Sequence, residues 1–359
     1  MAGRGDPPEG NPEGLPGGED EYRSVVFDES FVRAARLQEF SAEERMGEHA
    51  QAVRSRPRRE GRGGSRQALM LVLLILLAFG TAVYLGVRNP YQPPLDQRAE
   101  PLRTTLVPLA PRDAVPGGTP DSLFAHSPAA EYRTGAAGIN LPLAARTTSF
   151  SESQVVTALG IAKDYLVASS LEPDVLAGRT VRPPRLLVDP DQLEQFDRSV
   201  ESPSDDGRHA VSGWLVRFDP RTVVLADPTV RVQGTLRFAE VNADLLDVTA
   251  DHTFTYAVRP ATSGPGPAPR ASLFTVHREL HFRFDREDLR MHRAELLTST
   301  VQAGPQSCDA DPTGALRPLL AGMRAADPGR QAVTDPYATG RSTVSSLCGV
   351  LAPGAQPSV

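Results

Sequence analysis

The sequence predicts an α+β fold, because a capped amphipathic helix precedes a run of long antiparallel strands. Ser151-Glu152-Ser153-Gln154 reads as a capping box. Behind it Val155, Leu159, Ala162 and Leu166, with Val156 and Tyr165 alongside, make an apolar helical stripe. Downstream, Leu245–Val258 and Ser272–Phe284 alternate with period two. One helix packed on a curved antiparallel sheet buries both patterns, an architecture shared with cystatin-like and NTF2-like cone folds and an analogy of shape alone.

The elements follow in chain order. Residues 1–67 form an arm whose first 20 positions, rich in Gly, Pro, Glu and Asp, are too polar to pack and read as disordered. Within Ser24–Phe40, Phe27, Phe31, Leu37 and Phe40 stand among charges, and Asp28 or Ser30 can cap a short helix. Ser41-Ala42-Glu43-Glu44 is a second capping box, so short amphipathic helices are expected over 30–53. They have no core of their own. Either they are nascent helices in a floppy arm, or the phenylalanines dock into a protein partner's groove or against lipid headgroups.

Residues 68–87 run about 20 positions without a charge, the length that spans about 30 Å of hydrocarbon. Arg54, Arg56, Arg58, Arg59, Arg62 and Arg66 precede this stretch, and Arg88 alone follows closely. The expectation is a single transmembrane helix in the bilayer of the cell membrane, N-terminus cytoplasmic and C-terminal domain extracytoplasmic. A cleaved signal peptide, with Gly80-Thr81-Ala82 as its processing site, is the rival reading. Residues 88–145, dense in Pro, Gly and Ala, read as a spacer.

The extracytoplasmic domain is expected over 146–303. After the first helix, Pro173 suits an N1 position and Gly178 a helix stop. Asp189 then caps a helix with Pro190 at N1 and Leu193 and Phe196 turned inward. Strands are expected over His209–Phe218, Thr229–Val241, Leu245–Val258, Ser272–Phe284 and Arg290–Gln302, with a turn at Asp285–Leu289. Residues 304–359 read as an irregular tail carrying the two cysteines, Cys308 and Cys348. Outside the cytoplasm they are expected to pair and pin 309–347 to the sheet, at about 4 kcal/mol by the chain-entropy argument, the alternative being two free thiols.

Chemistry is sparse. A net charge of -6 gives no reason to expect nucleic-acid binding. No nucleophile elbow, Ser-x-x-Lys, phosphate loop or paired-cysteine zinc pattern occurs, so neither enzyme, cofactor nor metal is expected. His277-Arg278-Glu279-Leu280-His281 approaches the zincin pattern, but its Glu is one place late. On a strand its histidines stand about 13 Å apart, too far to share a metal. His277, Glu279 and His281 read instead as the exposed or cleft-facing side of the sheet. Asp189, Asp191, Asp205 and Asp206 are explained by caps and a turn. Trp214 and Tyr256 either line a cavity or pack in the core.

Ser24–Phe40, Thr249–Pro260 and Val276–Arg290 resemble segments of streptomycete single-pass membrane proteins associated with spore-wall synthesis. The resemblance carries no catalytic motif and no site residues, and implies a process rather than an activity. Two functions remain open. One is a non-enzymatic scaffold or accessory factor linking a cytoplasmic partner to cell-envelope machinery. The other is a binding module for a small molecule or wall polymer. A deep polar pocket on the sheet favours the second, an apolar filled one the first.

Overall fold

The Ser151 hydroxyl accepts the Gln154 amide at 3.3 Å while the Gln154 side chain takes the Ser151 amide at 2.8 Å, so the central helix starts where its capping box places it. A computed structural model describes residues 64–88, 99–262, 269–326, 331–338 and 348–358. The chain divides into two units, Met1–Gln92 and Pro93–Val359. The first contains α1 (Gly64–Arg88). In the second the order is β1 (Arg103–Ala110), α2 (Pro120–Ala125), β2 (Arg133–Thr134), α3 (Glu152–Ser170), α4 (Pro173–Leu176), α5 (Arg182–Arg185), α6 (Leu193–Glu201) and α7 (Val211–Trp214). There follow β3 (Val223–Leu225), β4 (Arg231–Glu240), β5 (Leu246–Pro260), β6 (Ser272–Phe284), α8 (Arg286–Met291), β7 (Glu295–Gly304), β8 (Ala332–Thr334) and β9 (Gly349–Leu351).

The strands form one mixed sheet in the order β2-β4-β5-β6-β7-β1-β9-β8, with β3 beside β5. The expected antiparallel run is present as β4 to β7, in registers such as Ala250 opposite Leu280 and Glu279 opposite Thr300. The sheet as a whole is not antiparallel. β1 pairs parallel with β7, β9 parallel with β1, and β8 parallel with β9. The cone-fold analogy rested on an antiparallel sheet, and these parallel strands depart from it.

They also redraw the boundaries. β1 lies inside the stretch expected as a spacer over 88–145, and β8 and β9 lie inside the tail expected to be irregular over 304–359. Proline density misleads here, because Thr104, Thr105 and Val107 are β-branched and sit between the prolines. His209–Phe218 is not a strand either. It holds α7 and an irregular run in which Ala210 through Val216 are buried without alternation. Gly213 permits this, since a Cβ there would stand 2.1 Å from the Thr104 methyl. The expected turn at Asp285–Leu289 is the start of α8, capped by the Asp285 carboxylate on the amides of Glu287 and Asp288, both at 2.7 Å.

The core lies between α3 and the even-numbered face of β5 and β6. Val155, Leu159, Ala162, Tyr165 and Leu166 pack there among Ala250, Phe254, Tyr256, Leu280 and Phe282, whereas Val156 is exposed. Phe196 is buried with its ring 5.2 Å from that of Trp214. Two glutamines tie α6 and the turn before it to the sheet as mock strand partners. Gln192 exchanges bonds with the Leu296 backbone at 2.9 and 2.8 Å, and Gln195 with Leu102 at 2.8 Å each way. Cys308 and Cys348 are disulfide-bonded, with Cα atoms 5.7 Å apart.

The membrane-spanning helix expected over 68–87 is not met: among the described residues no helix is long and apolar enough to cross a membrane. α1 (Gly64–Arg88) covers that stretch. The arm expected to be disordered, with its helices over 30–53 and with Phe27, Phe31, Leu37 and Phe40, lies outside the described residues.

Candidate functional site

Alternation gives β5 and β6 a second face, carrying their odd-numbered residues, and its chemistry changes along the strands. At one end Ala257 and Leu273 are covered by Leu123 and Phe124 of α2. In the middle Thr253, Thr255, Thr275 and His277 are polar yet buried. What covers them includes Pro336 and Tyr337. The Thr253 hydroxyl donates to Pro336 O at 2.8 Å, and the Thr275 and Tyr337 hydroxyls are 2.8 Å apart. Beyond this strap the face opens into a cleft of about 270 Å³ lined by Thr235, Arg237, Thr249, Asp251, Glu279 and His281.

Register builds the cleft. Thr235 stands opposite Asp251, Arg237 opposite Thr249, Asp251 opposite Glu279, and Thr249 opposite His281. Two carboxylates directly across a strand pair repel each other, and each here has a histidine. His281 Nε2 is 3.1 Å from Glu279 Oε1, and His277 Nε2 is 3.1 Å from Asp251 Oδ1. The second contact is a close approach from beneath the cleft. On the β4 side Arg237 is exposed, and it forms no ion pair with the described carboxylates. The cleft therefore presents fixed acceptors on one wall and a cation on the other, with threonine hydroxyls between.

Behind the cleft, the core face is polar at two points. His252 lies fully buried, its ring over Gly234, where a Cβ would stand 2.5 Å from the imidazole. Burial holds its pKa down to about 4, so it is a neutral ring. Its register partner Arg278 is also fully buried and has no carboxylate among its bonds. Its guanidinium donates to Ser169 and Ser170 at 3.0 and 2.7 Å, at the C-terminal end of α3 where the helix dipole favours a cation. It also donates to the Gly213 and Trp214 carbonyls at 3.0 and 2.9 Å.

The near-zincin histidines sit on β6 as the alternation required, but they serve different carboxylates and different depths. His277 is buried, while His281 is half-exposed at the cleft. Among the described residues no group of three His, Cys, Asp or Glu is placed to hold a metal. Trp214 and Tyr256 are fully buried core residues. Asp189 bonds Asp288 as well as capping a turn, and burial raises the Asp288 carboxyl to about 8. A broader depression of about 380 Å³ lies between the start of α3 and α8, with Arg286 and Arg290 on its rim. Arg286 is already committed to Asp244 at 3.0 Å and to the Phe150 ring, which leaves the sheet cleft as the stronger site.

The sequence did not mark Thr249 and Asp251 of β5, nor Thr235 and Arg237 of β4, as site residues. The signal for the last two was available in the alternation of β4, but only the register with β5 brings them to Asp251. Comparison with protein-family models, with curated proteins and with solved structures finds no match, so the site is read from its own geometry.

Proposed function

We propose that the Pro93–Val359 unit is a non-enzymatic binding module for a small zwitterion, of the size of an amino acid or dipeptide. The observation that carries this is the division of charge in the cleft, with Arg237 on one wall and Asp251 and Glu279 on the other. A ligand carboxylate fits the guanidinium fork, and a ligand ammonium fits between the two carboxylates. The walls belong to β4, β5 and β6, so the anchoring backbones are about 10 Å apart, and side chains reach inward from both. An extended dipeptide spans about 7 Å, which suits that gap. A volume of about 270 Å³ is at the small end for ligand sites and argues against a long polymer segment lying wholly inside.

A polar rather than an apolar, filled concavity favours the binding reading over the scaffold reading. The reading is non-enzymatic in that the lining offers no serine or cysteine nucleophile. The Cys308–Cys348 disulfide supports an oxidising compartment outside the cytoplasm.

A thermal-shift panel on the full-length protein tests the proposal, because a ligand that binds only the folded state raises the melting temperature. Glycylglycine and free amino acids are expected to raise it. N-acetylated glycylglycine, which lacks the ammonium, and neutral sugars are expected to leave it unchanged. Equal shifts with the acetylated peptide would remove the ammonium from the account.

A further inference from the structure

We infer that His277 is the positioning residue of this cleft, held by the strap Asp335–Ala338 so that it fixes Asp251 beside Glu279. The inference rests on the binding reading for its consequence, though not for its geometry. His277 is 2 % exposed in its side chain and lines no part of the cleft itself. Its Nδ1 lies 3.1 Å from Pro336 O and 3.4 Å from the Thr253 hydroxyl, and its Nε2 lies 3.1 Å from Asp251 Oδ1. Both ring nitrogens thus face oxygens, one in the strap and one in the cleft wall. The ring cannot turn without giving up one of them.

The need for such a device follows from register. Asp251 stands directly opposite Glu279, and like charges so placed drive the side chains apart. Glu279 has its own histidine on the solvent side. Asp251 has His277 from beneath, and that contact keeps its carboxylate where a ligand ammonium meets both acids. The strap sets the ring. Thr253 donates to the same Pro336 carbonyl at 2.8 Å, and Tyr337 is anchored to Thr275 and packs edge-on to Tyr132 at 6.0 Å. The covered half of the face is therefore the support of the open half.

The test uses two amides that each reproduce one ring nitrogen. In His277→Asn the amide nitrogen stands in for Nδ1 and keeps the strap bond. In His277→Gln it stands in for Nε2 and keeps the contact with Asp251. Both are made in the full-length protein, with glycylglycine titrated as the probe and the structure of each variant determined. Expected are affinity within about threefold of the parent for His277→Gln and a loss of tenfold or more for His277→Asn, with Asp251 turned away from Glu279 only in the latter. Equal losses in both, or an unmoved Asp251 in His277→Asn, would overturn the assignment. If neither variant folds, Thr253→Val takes their place. A two- to fivefold weaker affinity is then expected, and an unchanged one refutes the role of the strap. Should the parent fail to bind glycylglycine while Asp251 still moves in His277→Asn, the binding proposal falls and the positioning stands.

Discussion

Replacing Arg278 by methionine takes a charge with no carboxylate partner out of the core and puts a side chain of similar length in its place. Four bonds are lost, to Ser169, Ser170, Gly213 and Trp214. At about 1.5–3 kcal/mol for each bond to a charged group, the gross loss is large. Two compensations reduce it. The acceptors are not abandoned, because Gly213 O keeps the Ser299 hydroxyl at 2.7 Å and Trp214 O keeps the Tyr165 hydroxyl at 2.8 Å. The two serine hydroxyls, 3.4 Å apart, can bond each other. The desolvation of a buried guanidinium, several kcal/mol, is also relieved. The net cost for Arg278→Met is therefore expected below about 2 kcal/mol, a fall of roughly 4–8 °C at most in a unit of this size. Arg278→Lys keeps the charge but lacks the fork that reaches both acceptor pairs, and is expected to cost about 3–5 kcal/mol. Urea unfolding of the parent and both variants at one pH decides the order, with m-values checked for constancy. A methionine variant less stable than the lysine variant would refute the reasoning, since the charge itself would then be what stabilises the core.

Two further outcomes are expected. The Asp288 carboxyl, raised to about 8 by burial and by the neighbouring Asp285 and Asp189 carboxylates, holds a proton in the folded state that the unfolded chain releases near 4. Its stabilising contribution is thus full below about pH 4 and lost as pH rises through about 8. Asp288→Asn, which keeps a donor for Asp189, should flatten the fall in urea midpoint between pH 6 and 9, and an unchanged slope would place the titration elsewhere. Cys348→Ala opens a loop with a sequence separation of 40 and is expected to cost about 4 kcal/mol. Hydrogen exchange should show its largest loss of protection at β9, and uniform loss would show that the bridge does not act locally.

What was legible in the sequence is what local patterns encode. Ser151 and Gln154 announce α3, the alternation of Ser272–Phe284 gives β6 its exact limits, and the pairing of Cys308 with Cys348 needed only a compartment that allows it. What was hidden depends on partners distant in sequence. Arg103–Ala110 becomes a strand because β7 offers a parallel edge, and Val211–Trp214 becomes helical because Gly213 can lie against Thr104. The cleft was half visible, since the face bearing Glu279 and His281 follows from alternation alone. Arg237 joins it only through the β4–β5 register, and the cover over His277 comes from Pro336, 59 residues away.

The central claim is that charges of opposite sign across the cleft bind a zwitterion, and a calorimetric titration of the full-length protein with glycylglycine tests it most directly. A saturable heat is expected in the parent, reduced tenfold or more in affinity by Arg237→Ala and by Glu279→Gln, with less than additive loss in the double variant. Binding that both substitutions leave unchanged, or no saturable heat in the parent, would contradict it.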